Sequence, residues 1–142
     1  MSLHIRVVAA IALSGCSPEP YQEVFQGPIE LRRNTSVVLA RPLKTPGSGR
    51  RLCLNLPEGY DVDLHSRELI APGGKRGGLV GRLQGRGGEW YELREFSRNT
   101  LEVCLWSAAL WGQRDLEFVA LELESELEWE SSGGYWVSGE KL

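Results

Sequence analysis

The chain has 142 residues and a formal net charge of −3, with 42% hydrophobic and 25% charged residues. This composition is typical of one globular domain with its own core and excludes an intrinsically disordered chain. The small net charge also excludes the strongly basic surface on which nucleic-acid binding depends, so no nucleic-acid partner is expected.

The first segment combines one cation, Arg6, with a short apolar run that ends in Leu13-Ser14-Gly15-Cys16. The run is too short to span a bilayer and is followed by Pro18 and Pro20, which excludes a permanent transmembrane helix. The tetrapeptide resembles the lipobox of bacterial lipoprotein precursors. The alternative is a buried first strand of a cytosolic protein that happens to end in cysteine.

The lipobox resemblance implies that residues 1–15 are a signal peptide and that Cys16 is acylated after cleavage. The protein would then be anchored to a membrane of the cell envelope and face the periplasm. Ser17 occupies the position where inner-membrane retention signals place an aspartate, which favours the outer membrane. We expect residues 16–26 to form a tether and residues 27–142 to form the folded domain.

The rest of the chain reads as short strands separated by turn signals. Alternating apolar and polar residues recur at Leu52–Leu56, Tyr60–His65, Glu89–Phe96 and Leu101–Trp106, and no segment keeps a helical period over ten residues. The pattern predicts an all-β domain of about eight short strands, folded as an antiparallel β-sandwich or a barrel-like structure.

Two cysteines remain if Cys16 is lipidated. In each of two predicted strands, Cys53 or Cys104 lies on the face opposite to its apolar neighbours. If the two strands are adjacent, both cysteines lie on the same face of the sheet. An even pair outside the cytosol is expected to form a disulfide. The alternative is a pair of buried free thiols.

The stretch from Pro72 to Gly88 contains eight glycines and four cations. Its middle could form a short strand between two turns. Arg76, Arg82 and Arg86 are candidate contacts for an acidic partner, since exposed arginines suit anions. The alternative is a flexible hairpin loop whose arginines are solvated or pair with glutamates elsewhere.

The longest strand signal runs from Leu116 to Trp129 and places glutamates at every second position from Glu122 to Glu130. We expect this acidic face to be solvated or paired with arginines of a neighbouring strand. Ser131-Ser132-Gly133-Gly134 predicts the hairpin turn that follows.

All five tryptophans lie in the second half of the chain. Trp129 and Trp136 would flank the predicted hairpin turn, and Trp111 lies in a loop-like stretch. These three are the candidates for a partner-binding surface, because exposed tryptophans anchor proteins or stack on sugars. The alternative is packing within the core.

Asp61, Asp63 and His65 are spaced to project from one face of a strand and form a weak metal candidate. The alternative is a solvated strand face, so no metal and no cofactor are expected. The chain has neither a GxSxG nor an HExxH motif, and no cysteine–histidine pair remains outside the predicted disulfide. We therefore expect a protein without catalytic activity.

The function predicted from these observations is binding of a protein partner in the cell envelope, with the membrane reached through Cys16. Small lipoproteins of similar architecture include lysozyme inhibitors and immunity proteins, although none of their motifs occurs here. Two alternatives stay open: a carbohydrate- or peptidoglycan-binding module that uses the tryptophans, and a structural subunit of an envelope assembly.

Overall fold

A computed structural model describes residues 21–45, 51–110 and 116–137. These residues form twelve strands and one short 3₁₀ helix at Ala108–Leu110. The strands are β1 (Tyr21–Leu31), β2 (Thr35–Val37), β3 (Leu43–Lys44), β4 (Arg51–Asn55), β5 (Asp61–Asp63), β6 (Glu68–Ile70), β7 (Arg76–Gly85), β8 (Trp90–Leu93), β9 (Glu95–Asn99), β10 (Glu102–Trp106), β11 (Glu117–Ser125) and β12 (Trp129–Val137).

The strands form two antiparallel sheets that pack together as a β-sandwich, which confirms the predicted fold class. The first sheet has the order β1-β12-β4-β10-β9. The second has the order β2-β11-β7-β6-β5, with β3 paired to β11 and β8 paired to β7. The described strands outnumber the predicted eight because several are segments of only two or three residues.

The core lies between the sheets and is built from the apolar half of each alternating strand. Leu52 and Leu54 of β4 are fully buried and share one large cluster with Leu121 and Leu123 of β11. Because side chains alternate across a strand, the polar residues between them lie on the outer faces. Burying this apolar surface is the main favourable contribution to folding.

The Gly-rich stretch folds as the ten-residue strand β7 and not as a loop with a short strand in its middle. Its inward positions alternate glycine with leucine and are all buried. A Cβ added to Gly77 would lie 2.7 Å from Cγ of Leu127, so the turn after β11 can approach β7 only where no side chain intervenes. Glycine thus serves close packing here.

The predicted hairpin turn at Ser131–Gly134 is wrong. These residues lie within β12, and the connection from β11 to β12 is formed by Glu126–Glu128. A Cβ on Gly134 would lie 2.6 Å from Cε1 of Phe25 and 3.0 Å from Cδ2 of Leu54, so the glycine makes room for an aromatic ring. The row of five glutamates is accordingly divided between β11, the connection and β12.

The disulfide between Cys53 and Cys104 is confirmed. The two residues face each other across β4 and β10. Both are buried, and they form a small cluster with Val137 and Tyr135 that is separate from the main core. Since Leu52 and Leu54 point into the main core, the disulfide lies on the outer face of the first sheet.

The predicted tether ends earlier than expected, because residues 21–26 belong to β1. The predicted signal peptide and the predicted lipidation site, Cys16, lie outside the described residues. Across the part of the chain that the structure describes, no helix has the length and apolarity needed to cross a bilayer.

Candidate functional site

Two of the three tryptophans predicted to contact a partner are core residues. Trp129 is 4% and Trp136 is 0% exposed. The Trp136 indole donates to the carbonyl of Lys44 at 2.9 Å and packs edge-on against Phe118. These two indoles therefore offer no surface to a partner. Trp111 lies outside the described residues.

The sequence interpretation missed Trp90, whose side chain is 44% exposed. It begins β8 and lies opposite Gln84 of β7. The sequence does indicate this exposure, because Trp90, Glu92 and Arg94 occupy alternate positions. Leu93, on the opposite face of the strand, is buried. The charged residues in its own alternation place this indole on the outer face.

The three candidate arginines of the Gly-rich stretch form ion pairs within the chain. Arg76 lies 2.9 Å from Asp63 and 3.3 Å from Glu68. Arg86 lies 2.7 Å from Glu117. Arg82 pairs with glutamates of both neighbouring strands. The arginines are thus held by ion pairs, Arg76 and Arg82 on β7 and Arg86 in the turn that follows it, which corresponds to the alternative in which they pair with glutamates.

Arg82 is the centre of an ordered set of charges on the second sheet. Its guanidinium lies 2.8 Å from Glu124 of β11 and 3.3 Å from Glu92 of β8, and Arg94 also pairs with Glu92 at 2.7 Å. The hydrogen bond from Arg94 lowers the pKa of Glu92, and the hydrogen bond to Glu124 raises the pKa of Arg82. These groups are held ionised in fixed positions.

We call this surface the charged face. Its residues come from the outward positions of three adjacent strands of the second sheet. They are Arg82, Gln84, Trp90, Glu92, Glu122 and Glu124. The face therefore combines one exposed indole with charges of both signs.

Asp61, Asp63 and His65 do not share one strand face, so the geometry of the weak metal candidate is wrong. Strand β5 ends at Asp63, and exposed His65 lies in the turn that follows. Asp61 pairs with Arg98, and Asp63 pairs with Arg76 and accepts from the backbone N–H of His65 at 3.0 Å. The hydrogen bond from Arg76 is the main reason that the pKa of Asp63 falls to about 2.

Cys53, Glu102 and Cys104 bring three potential ligand atoms within 4.8 Å of one another. The two sulfurs are bonded to each other, however, and a disulfide lacks the thiolate that binds metals. This cluster is therefore no metal centre.

A cavity of about 490 Å³ opens at one end of the first sheet. Its walls come from the end of β4, the connection between β9 and β10, and the middle of β12. The described lining residues are Asn55, Leu56, Asn99, Thr100, Leu101, Glu102 and Ser132. We call it the end cavity. No sequence pattern indicates it, because its residues are brought together only by strand pairing.

Comparisons with protein-family models, with curated proteins and with solved structures find no match for this chain.

Proposed function

We propose that this chain is a lipid-anchored, non-enzymatic protein of the cell envelope that binds a protein partner through its charged face. The lipobox-like residues Leu13–Cys16 support the anchor. The Cys53–Cys104 disulfide supports export, because such bonds persist in oxidising compartments such as the periplasm. This function requires no catalytic step and no cofactor.

The observation that carries the binding proposal is the exposed Trp90 beside fixed charges. Tryptophan and arginine are enriched among the residues that dominate binding energy at protein interfaces. Arg82 is already held by Glu92 and Glu124, so a partner would meet a guanidinium whose position is set before binding. Such preorganisation reduces the side-chain entropy lost on association.

The proposed anchor fixes which end of the domain lies near the membrane. Cys16 precedes Tyr21 by five residues, which span at most about 18 Å. Tyr21 pairs with Val137, so this end of the first sheet stays near the bilayer.

Trp90 lies toward the same end. Val137 is preceded by Trp136, whose ring packs on Phe118 of the second sheet. Phe118 in turn pairs with Gly85, the last residue of β7 before the hairpin that leads to Trp90. The charged face therefore stands beside the membrane, where it can meet the periplasmic part of a membrane-bound partner.

The test combines photo-crosslinking in cells with a binding measurement. A photoreactive residue at Gln84 should give one discrete adduct whose partner is identified by mass spectrometry. The purified partner should then bind the full-length protein, and Trp90→Ala should weaken this affinity by about 30-fold, as expected for a residue that dominates an interface. The matched control is Leu64→Ala, which truncates an exposed residue in the β5–β6 connection and should leave the affinity unchanged.

Two outcomes would contradict the proposal. One is the absence of any discrete adduct at Gln84, and the other is wild-type affinity in Trp90→Ala. Membrane fractionation of the same variant provides a further control. If Trp90→Ala released the protein from membranes, the indole would be a bilayer contact and not a partner contact.

A further inference from the structure

The end cavity lies at the opposite end of the first sheet from Tyr21. Its residue Ser132 precedes Val137 by five positions along β12, which corresponds to about 17 Å of strand. Asn55 is likewise the last residue of β4, whereas Arg51 at the other end of that strand pairs with Val137. The cavity is therefore separated from the charged face along the length of the sandwich.

The polar groups of the end cavity have unused hydrogen-bonding capacity. The Asn55 amide nitrogen donates to Ser132 at 3.2 Å, and the Asn99 amide nitrogen donates to Glu102 at 3.1 Å. Among the described residues, the Asn55 amide oxygen and the Thr100 hydroxyl have no protein partner within hydrogen-bond distance. A ligand could therefore both donate to and accept from these walls.

Glu102 is held in one position by its neighbours. The Tyr135 hydroxyl donates to its carboxylate at 2.7 Å, beside the bond from Asn99. Burial and the hydrogen bond to Glu102 raise the pKa of Tyr135 to about 12, so the phenol stays protonated and continues to donate to the carboxylate. The adjacent disulfide links β10, which carries Glu102, to β4, which carries Asn55. The wall is thus preorganised before any ligand enters.

The mixture of groups favours a neutral ligand over a cation. Glu102 is the only ionisable residue among the seven described lining residues. An ammonium or guanidinium group offers donors alone and would leave the hydroxyl donors of the cavity unpaired. Sugar hydroxyls are donors and acceptors at once, and the C–H faces of a sugar ring can pack on Leu56 and on Leu101, which is 68% exposed.

We propose that the end cavity binds one or two rings of a neutral saccharide. Its volume of about 490 Å³ falls within the range of about 300–1,000 Å³ that is usual for small-molecule sites. This binding site is additional to the partner-binding charged face. If the lipid anchor of the proposed function is correct, the cavity points away from the bilayer, toward the glycans of the envelope.

The test is saturation-transfer difference NMR on the full-length protein in detergent, with N,N′-diacetylchitobiose, cellobiose and arginine amide as separate probes. At least one disaccharide should give a signal with the wild-type protein. Asn99→Ala should weaken its affinity about tenfold, because one hydrogen-bonding group is lost from the cavity wall. Thr100→Val removes only a hydroxyl from an exposed residue and should weaken it less.

The matched control is Asn34→Ala, which removes an exposed amide outside the cavity and should leave the affinity unchanged. The proposal is overturned if neither disaccharide binds the wild-type protein, if Asn99→Ala and Thr100→Val both bind like wild type, or if only arginine amide binds. This experiment contains no protein partner, so its failure would leave the charged face untouched, and failure of the Trp90 experiment would leave the cavity untouched.

Discussion

The two sheets of the sandwich share one core but differ in how their outer faces are held. The outer face of the first sheet carries the Cys53–Cys104 disulfide, buried with Val137 and Tyr135. The outer face of the second sheet is joined by ion pairs around Arg82, and Trp90 stands exposed beside them. In the first sheet the disulfide links β4 and β10 covalently, whereas in the second sheet ion pairs join the outer faces of β7, β8 and β11.

This difference suggests that the outer face with the disulfide serves mainly stability, whereas the outer face with the ion pairs serves mainly binding. Exposed ion pairs contribute little to stability, since solvent screens them and the side chains lose entropy. Their fixed geometry can nevertheless select a partner by charge complementarity. Removal of the Cys53–Cys104 disulfide should therefore affect mainly stability, and changes to the charged face should affect mainly partner binding.

The largest expected effect comes from the pair Trp136→Ala and Trp90→Ala. Truncating the fully buried Trp136 should lower the free energy of unfolding by about 3–5 kcal/mol, because it leaves a cavity and removes the hydrogen bond from the indole to the backbone carbonyl of Lys44. Truncating the exposed Trp90 should change it by less than about 0.5 kcal/mol. Urea denaturation followed by circular dichroism measures both, and equal losses would refute the division between the sheets.

Removal of the disulfide should have an effect almost as large. The bond closes a chain segment with a sequence separation of 51 residues. The double variant Cys53→Ala/Cys104→Ala should lose about 4 kcal/mol on the chain-entropy model. Wild-type protein denatured with and without a reductant provides the control. A loss below about 1 kcal/mol would show that the sheet does not depend on its covalent link.

The smallest expected effect concerns the Asp63–Arg76 pair on the second sheet. Since the folded pKa is lowered from 3.8 to about 2, ionised Asp63 favours the folded state above pH 4, and this contribution is lost as the pH falls toward 2. Both side chains are partly exposed, so the change in stability should be small. Carboxyl chemical shifts followed by NMR should give a titration near pH 2.

The control for this titration is Arg76→Gln, which removes the charge and should return the pKa of Asp63 toward 3.8. A midpoint near 3.8 in the wild-type protein would mean that the ion pair does not form in solution. Such a result would weaken the description of the second sheet as a surface of fixed charges.

Local alternation was sufficient to predict the fold class and the disulfide. Leu52 and Leu54 flank Cys53 with opposite parity, and the same pattern recurs around Cys104. Because strand side chains alternate strictly, this parity assigns leucines to the core and cysteines to the other face. The pairing of Cys53 with Cys104 then required only that the two strands be neighbours, as they are.

The sequence prediction was wrong at glycines whose role depends on residues far away in the sequence. Gly134 read as a turn residue, but it admits the ring of Phe25. The actual turn at Glu126–Glu128 contains neither glycine nor proline, and its Leu127 is buried. Contacts between residues far apart in sequence decide these positions, and local turn preferences do not carry that information.

The candidate sites were predicted less well than the fold. The surface prediction for Trp129 and Trp136 depends on a hairpin turn at the wrong position, whereas the alternation of Trp90 with Glu92 correctly indicates an outward position. The end cavity could not have been predicted, since Asn55, Asn99 and Ser132 come from three separate strands.

The most direct test of the account is the intact mass of the protein extracted from cell membranes without reductant. We expect a polypeptide that begins at Cys16, carries a diacylglyceryl group there, and lacks two hydrogens because Cys53 and Cys104 are joined. Recovery of an unmodified chain from the cytosol, with Met1 retained and with Cys53 and Cys104 reduced, would contradict it.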